Sequence, residues 1–245
     1  SGTITTSEQD SMGIYSVSNS GTTNITNSGT ITTSGSSGSQ GIQSNGNSGT
    51  ANITNSGTIT TSGQYSHGMY SYNNSGTETI SNTSNDTIST SGSNADGIYL
   101  QSNSGTTTIT NSGTINVTGT GAVGVTLDGG VTFTNSGTIS ATGSATEAID
   151  STGSGNDTLN LLAGSKITGS IDLGDGTDTV NISGTEIING CATASCMSSS
   201  MTFTGAENIN VTAPNAIHVA NNGVVATVDP TGSSVLGVSL STMTS

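Results

Sequence analysis

Reactive side chains are few in this chain of 245 residues: fifteen carboxylates, two histidines, two cysteines and one basic residue, Lys166. Two stretches place carboxylates at metal-ligand spacing. Gly153-Ser154-Gly155-Asn156-Asp157-Thr158-Leu159 and Gly174-Asp175-Gly176-Thr177-Asp178-Thr179-Val180 each match most of a calcium-binding nonapeptide. In it Asp157, Asp175 and Asp178 would offer hard carboxylate oxygens beside turn carbonyls. The motif needs tandem copies on adjacent turns, and these copies start 21 residues apart. Ordinary turns are therefore the expected reading, and calcium is the one cofactor the pattern admits.

Cys191 and Cys196 form one close pair with no other cysteine in the chain. Such a pair reads as a small local disulfide in an oxidising compartment, against the alternative of two free thiols. A metal site there would need further ligands, and the flanking sequence offers none. His67 and His218 are far apart and accompany no nucleophile signature. An Asp pair such as Asp172 and Asp175 could in principle serve a glycosidase, but exposed turn carboxylates are the simpler reading. The expectation is a protein that is not an enzyme.

Two rows of side chains invite contact instead of reaction. Tyr15, Gln43, Tyr70 and Tyr99 each follow an apolar residue in the recurring segments Gly13-Ile14-Tyr15, Gly41-Ile42-Gln43, Gly68-Met69-Tyr70 and Gly97-Ile98-Tyr99. If the apolar residue points inward, these four point outward, as a stripe able to stack on sugar rings or on another rod. Cross-strand pairing also favours Tyr for structural reasons alone. Thr flanks inward Ile as Thr30 and Thr32 or Thr58 and Thr60, the kind of array that binds ice. The second Thr decays to Ser89, Asn116 and Ser140, however, and Thr is a favoured exposed strand residue.

These side chains must be positioned by elements built from very little apolar material. Hydrophobic residues make up 29% of the chain, against roughly 45–50% in a typical soluble domain. What opposes disorder is self-similarity. Asn27-Ser28-Gly29-Thr30-Ile31 returns at Asn55, Asn111 and Asn135, with a worn copy at Ser84–Ile88. From Ile4 onward the corresponding Ile positions step by 27, 28, 29, 27 and 24 residues. A second Asn-Ser-Gly column starts at Asn19, Asn47, Asn74 and Asn103, and becomes Asp128-Gly129-Gly130.

Each period of about 28 residues thus holds three short apolar-centred segments separated by Gly, Asn and Ser turns. In Thr30-Ile31-Thr32 or Asn24-Ile25-Thr26 a β-branched residue sits between polar ones, the period-2 pattern of a strand with one buried face. The predicted fold is all-β, a parallel β-helix of three strands per coil. Stacking would bury Ile4, Ile14, Ile25, Ile31 and their equivalents in a thin core of some nine coils. Residues 1–150 form the regular repeat. Residues 151–245 form a less regular continuation with the cysteine loop and an apolar end around Val224, Val225 and Val228. The Asn-Ser-Gly turns would supply positive φ, and their amides would bond along a ladder.

Charge narrows the partners. Fifteen acidic residues against one basic give a net charge of −14, which excludes nucleic-acid binding through phosphate neutralisation and basic adhesion to anionic membrane. No run of about 18 apolar residues is present, so no helix here spans a bilayer. The chain opens in mid-repeat, as a processed or truncated start would.

Asp157-Thr158-Leu159-Asn160-Leu161, Gly164-Ser165-Lys166-Ile167-Thr168-Gly169, Gly174–Val180 and Ala226–Gly232 resemble the passenger domain of classical autotransporters, the type V secretion route of Gram-negative bacteria. The Asn-Ser-Gly-Thr-Ile repeats upstream resemble its adhesin-like members. The resemblance implies a right-handed β-helix, Sec export, translocation through a C-terminal barrel, and display or release at the cell surface. The family's signal segment and barrel are not in this sequence, as for a trimmed passenger. The expected role is a surface adhesin or structural spacer meeting a host-cell, glycan or self surface. The rival is a head-to-tail filament subunit, because untapped solenoid ends are strand edges.

Overall fold

The computed structural model describes residues 2–183, 200–211, 217–221 and 224–228. It is a parallel β-solenoid with three strands per coil, and no helix occurs among the described residues. The three strands of a coil enter three separate sheets. The first sheet stacks Thr3–Thr6, Thr30–Thr33, Thr58–Thr61, Thr87–Thr90, Thr114–Val117, Thr138–Ala141 and Lys166–Thr168. The second begins at Ile14–Val17 and the third at Thr22–Asn27. Among the described residues seven coils contribute to every sheet, against the nine expected of the whole chain, and at ~4.8 Å per coil the first sheet spans about 30 Å.

Pairing follows the sequence repeat residue for residue. Ile4, Ile31, Ile59, Ile88, Ile115, Ile139 and Ile167 form one in-register column. Ile14, Ile42, Met69, Ile98, Val125, Ile149 and Ile171 form the second. Ile25, Ile53, Ile80, Ile109, Phe133, Leu159 and Val180 form the third. One side chain per strand meets its copies above and below, and Ile31, Ile59, Ile88, Ile115 and Ile139 lose all solvent contact. Ile4, expected in the core, is exposed, and Ile14 is only partly buried. Both belong to the first coil, whose strands have a neighbour on one side only.

Asn ladders fix the corners. Asn27 Nδ2 donates to Asn55 Oδ1 at 2.8 Å, Asn55 to Asn82 at 2.8 Å, Asn82 to Asn111 at 2.9 Å and Asn111 to Asn135 at 2.8 Å. The chain separations in this ladder are 28, 27, 29 and 24 residues. The coils then shorten, with 21 residues between Asn160 and Asn181.

The glycines of the Asn-Ser-Gly turns act differently from the expectation. They do not adopt positive φ. A Cβ on Gly57 would stand 2.1 Å from the Gly29 carbonyl oxygen of the preceding coil, and one on Gly49 2.0 Å from that of Gly21. Glycine is required there by close backbone approach. Positive φ falls just before the second Asn column, at Ser18, Gly46, Asn73 and Ser102.

The last part of the second sheet changes direction. Ser200–Thr204 pairs parallel with Ser170–Asp172, but Val224–Val228 pairs antiparallel with it, and Ile217–Asn221 lies antiparallel beyond. The described strands of the apolar end therefore extend the edge of the second sheet antiparallel to Ser200–Thr204 and add no further three-strand coil. Cys191 and Cys196 lie outside the described residues.

Candidate functional site

Outward positions on the second sheet form one unbroken in-register column. Tyr15 pairs with Gln43, Gln43 with Tyr70, Tyr70 with Tyr99, Tyr99 with Thr126, Thr126 with Asp150 and Asp150 with Asp172. The predicted contact stripe is thus brought together and extended by three residues. Its first part is aromatic and its last part acidic. Inward Ile, Met and Val on the same strands force this orientation, because side chains alternate across a strand.

Within the stripe the four residues are not equivalent. Tyr15 is half exposed, Tyr70 and Tyr99 are half-buried, and Gln43 is buried. Gln43 is a correction to the outward stripe: a shorter side chain flanked by Tyr15 and Tyr70 on adjacent coils is covered by its neighbours, although its strand position faces out. Tyr70 and Tyr99 stack with ring centroids 5.4 Å apart and planes 18° from parallel. His67 stacks on Tyr99 at 4.4 Å. Tyr70 donates its hydroxyl hydrogen to Gln101 Oε1 at 2.6 Å. Burial, with Tyr99 and Tyr72 adding to it, pushes the Tyr70 phenol up to about 12, so it stays protonated.

His67 joins a ladder beside this column. Asp96 N–H donates to His67 Nδ1 at 2.9 Å, His67 N–H to Gln40 Oε1, and Val123 N–H to Asp96 Oδ1 at 2.9 Å. An imidazole whose Nδ1 accepts a backbone N–H is neutral with its proton on Nε2, and burial lowers its pKa to about 3. Asp96 also accepts from Thr126 Oγ1 at 2.7 Å. Burial raises its pKa to about 6, with Asp150 and Glu147 acting the same way against its hydrogen bonds. Nothing local to His67 or Asp96 marks this adjacency, because 29 residues separate them and only the coil period brings them together.

A cleft of about 300 Å³ opens where the aromatic column ends. Tyr65, Tyr99 and His67 form one side, Asp150 and Thr152 the other, with Thr126, Val123 and Asp96 between. A shallower groove of about 540 Å³ follows the stacked Ser-Gly-Thr turns at Ser48, Ser75 and Ser104 and is lined only by small polar residues.

The carboxylates of the calcium-like turns divide. Asp175 is exposed, whereas Asp157 and Asp178 are buried on adjacent coils. Asp157 Oδ1 accepts Val131 N–H at 2.7 Å, and Asp178 Oδ1 accepts Asp157 N–H at 2.7 Å. Each keeps a second buried oxygen, Oδ2, with no hydrogen-bond partner among the described residues. Burial raises both pKa values, Asp157 to about 6, and Asp178 repels Asp157 further. No group of three or more His, Cys, Asp or Glu residues able to hold one ion occurs among the described residues. His218 lies on the strand Ile217–Asn221.

No protein-family model, no curated protein and no solved structure matches this chain.

Proposed function

We propose that this chain is a non-catalytic passenger segment of the autotransporter type. It would stand outside a Gram-negative cell as a stiff rod and act as an adhesin or structural spacer through its second sheet. The observation that carries the reading is the in-register outward column from Tyr15 to Asp172. A solenoid repeats each outward side chain at the spacing of its coils, so a row of aromatic residues becomes a continuous platform. The adjacent carboxylates make that platform polar at one end. Asp96, with both carboxylate oxygens hydrogen-bonded, and His67, with Nδ1 accepting the Asp96 amide, favour a structural role for the pair over acid–base chemistry.

The test is binding of the purified chain to host-cell surfaces and to a glycan array, beside a Tyr70→Ser/Tyr99→Ser variant. Saturable binding lost in the variant, at comparable thermal stability, supports the adhesin role. Binding that persists in the variant removes the second sheet as the contact face. A chain that binds nothing supports the spacer role only.

The rival reading is a head-to-tail filament subunit. Monodisperse monomers in sedimentation at high concentration would remove the filament.

A further inference from the structure

The stacked rings of Tyr70 and Tyr99 lie face to face along the solenoid axis. The coil-3 face of Tyr99 is covered by Tyr70 and His67. Its opposite face looks toward the next coil, where the column residue is Thr126. Thr126 is small, buried, and tied down to Asp96 Oδ2 through its hydroxyl. The column therefore has a gap one coil deep between the Tyr99 ring and the Asp150 carboxylate, and the cleft of about 300 Å³ is this gap. Two coils separate Tyr99 from Asp150, about 9–10 Å at the strand spacing.

What fits is a flat cation. A planar group seated on Tyr99 at van der Waals distance, about 3.5–4 Å, leaves the Asp150 coil roughly 6 Å beyond its other face, close enough for the carboxylate to attract its charge. The ring face attracts positive charge, and Arg stacks on it more readily than Lys does. A guanidinium in that pose directs its N–H bonds within its own plane, across the axis, so Asp150 acts on it as a facing negative charge and not as a bidentate acceptor. Glu147 and Asp172 add negative potential from beside and beyond Asp150. Lys166, the single basic residue of the chain, lies on the first sheet. A neutral sugar would use the ring but leave the carboxylates without a charged partner.

We infer that the gap between Tyr99 and Asp150 is a receiving site for a guanidinium group, an arginine side chain displayed on a partner protein. The inference rests on the second sheet being the contact face and names the chemistry of its partner.

The experiment titrates the whole chain with acetyl-arginine amide, acetyl-citrulline amide and a neutral oligosaccharide, following tyrosine emission and amide NMR shifts around residues 99, 126 and 150. The absence of Trp leaves Tyr emission unobscured. Arginine should bind at least about threefold more tightly than citrulline, which has the same shape without the charge. Asp150→Asn and Tyr99→Leu should each remove that preference, and Tyr99→Phe should keep it, all with unchanged melting temperature. Equal response to arginine and citrulline, or a preference that survives both Asp150→Asn and Tyr99→Leu, overturns the inference. Oligosaccharide shifts at Tyr70 and Tyr99 with no arginine preference would overturn it while leaving the contact face standing. If the oligosaccharide also has no effect and the cell and glycan assays fail, the adhesin role falls with it.

Discussion

The second oxygens of Asp157 and Asp178 are buried without a hydrogen-bond partner, as are Gln43 Oε1 and Ser151 Oγ, and an unpaired carboxylate oxygen is the costlier kind to bury. Elsewhere the same fold solves this problem with amides: Asn55 accepts on one side and donates on the other. Asp178→Asn keeps an acceptor for the Asp157 amide and supplies a donor toward Asp157. We predict a gain of about 1 kcal/mol at pH 8, measured by urea unfolding. Proton linkage sets a second expectation. Asp96 and Asp157 hold their protons up to about pH 6 in the folded chain, and Glu78, Asp150 and Asp178 are also raised, in each case chiefly by burial. Between about pH 6 and the ordinary carboxylate range near 4, the folded state binds more protons than the unfolded, so stability rises as pH falls. His67 works in the opposite sense: with its folded pKa near 3, its stabilising contribution is lost as pH falls below about 6.5. Five carboxyls outweigh one imidazole, so the unfolding midpoint should be higher at pH 5 than at pH 8. His67→Gln, which keeps an acceptor for the Asp96 amide, should enlarge the difference. A midpoint that drops on acidification in both proteins would refute the linkage.

At the scale of the strand and its turn, the coil is held by one apolar column per sheet and by the corner ladders. Asn55→Ala removes both of its ladder bonds and its bond to the Gly57 carbonyl, leaves Asn27 Nδ2 only its long bond to the Thr58 carbonyl, and strands the oxygen of Asn82. The expected cost is about 2 kcal/mol or more by urea unfolding; a loss under about 0.5 kcal/mol would show that the ladder is incidental. Much of this level was legible in the sequence. The Asn-Ser-Gly-Thr-Ile spacing marked the strands, the register and the amide ladder, because in-register stacking turns a sequence repeat directly into a column. Other features depended on neighbours that a single period does not display. The turn glycines answer to the backbone of the coil before, Gln43 is buried by the tyrosines above and below it, and Asp157 with Asp178 are lodged under adjacent turns. Between the strands Ile217–Asn221 and Val224–Val228 stands Asn222-Gly223, the pair that most favours a tight antiparallel hairpin. That dipeptide lies outside the repeat, so the repeat pattern does not display it.

For the molecule as a whole, every functional expectation rests on columns, and every column rests on register. A slip of two residues in the second sheet would keep each side chain on its own face, but would set Ser44 and Ser71 against the apolar column. It would also take Tyr70 and Tyr99 out of one row and close the gap beside Asp150. The direct measurement is an engineered cross-link in a Cys191→Ser/Cys196→Ser background. Gln43 and Tyr70 are register partners, so their Cα atoms stand about 4.8 Å apart, within the reach of a disulfide. Asn45 and Tyr70 share the outer face but are offset by two residues, roughly 8 Å apart and beyond that reach. The account predicts that Gln43→Cys/Tyr70→Cys oxidises to a single intramolecular bridge with the fold retained, and that Asn45→Cys/Tyr70→Cys does not. A bridge in the offset pair, or none in the register pair, would contradict it.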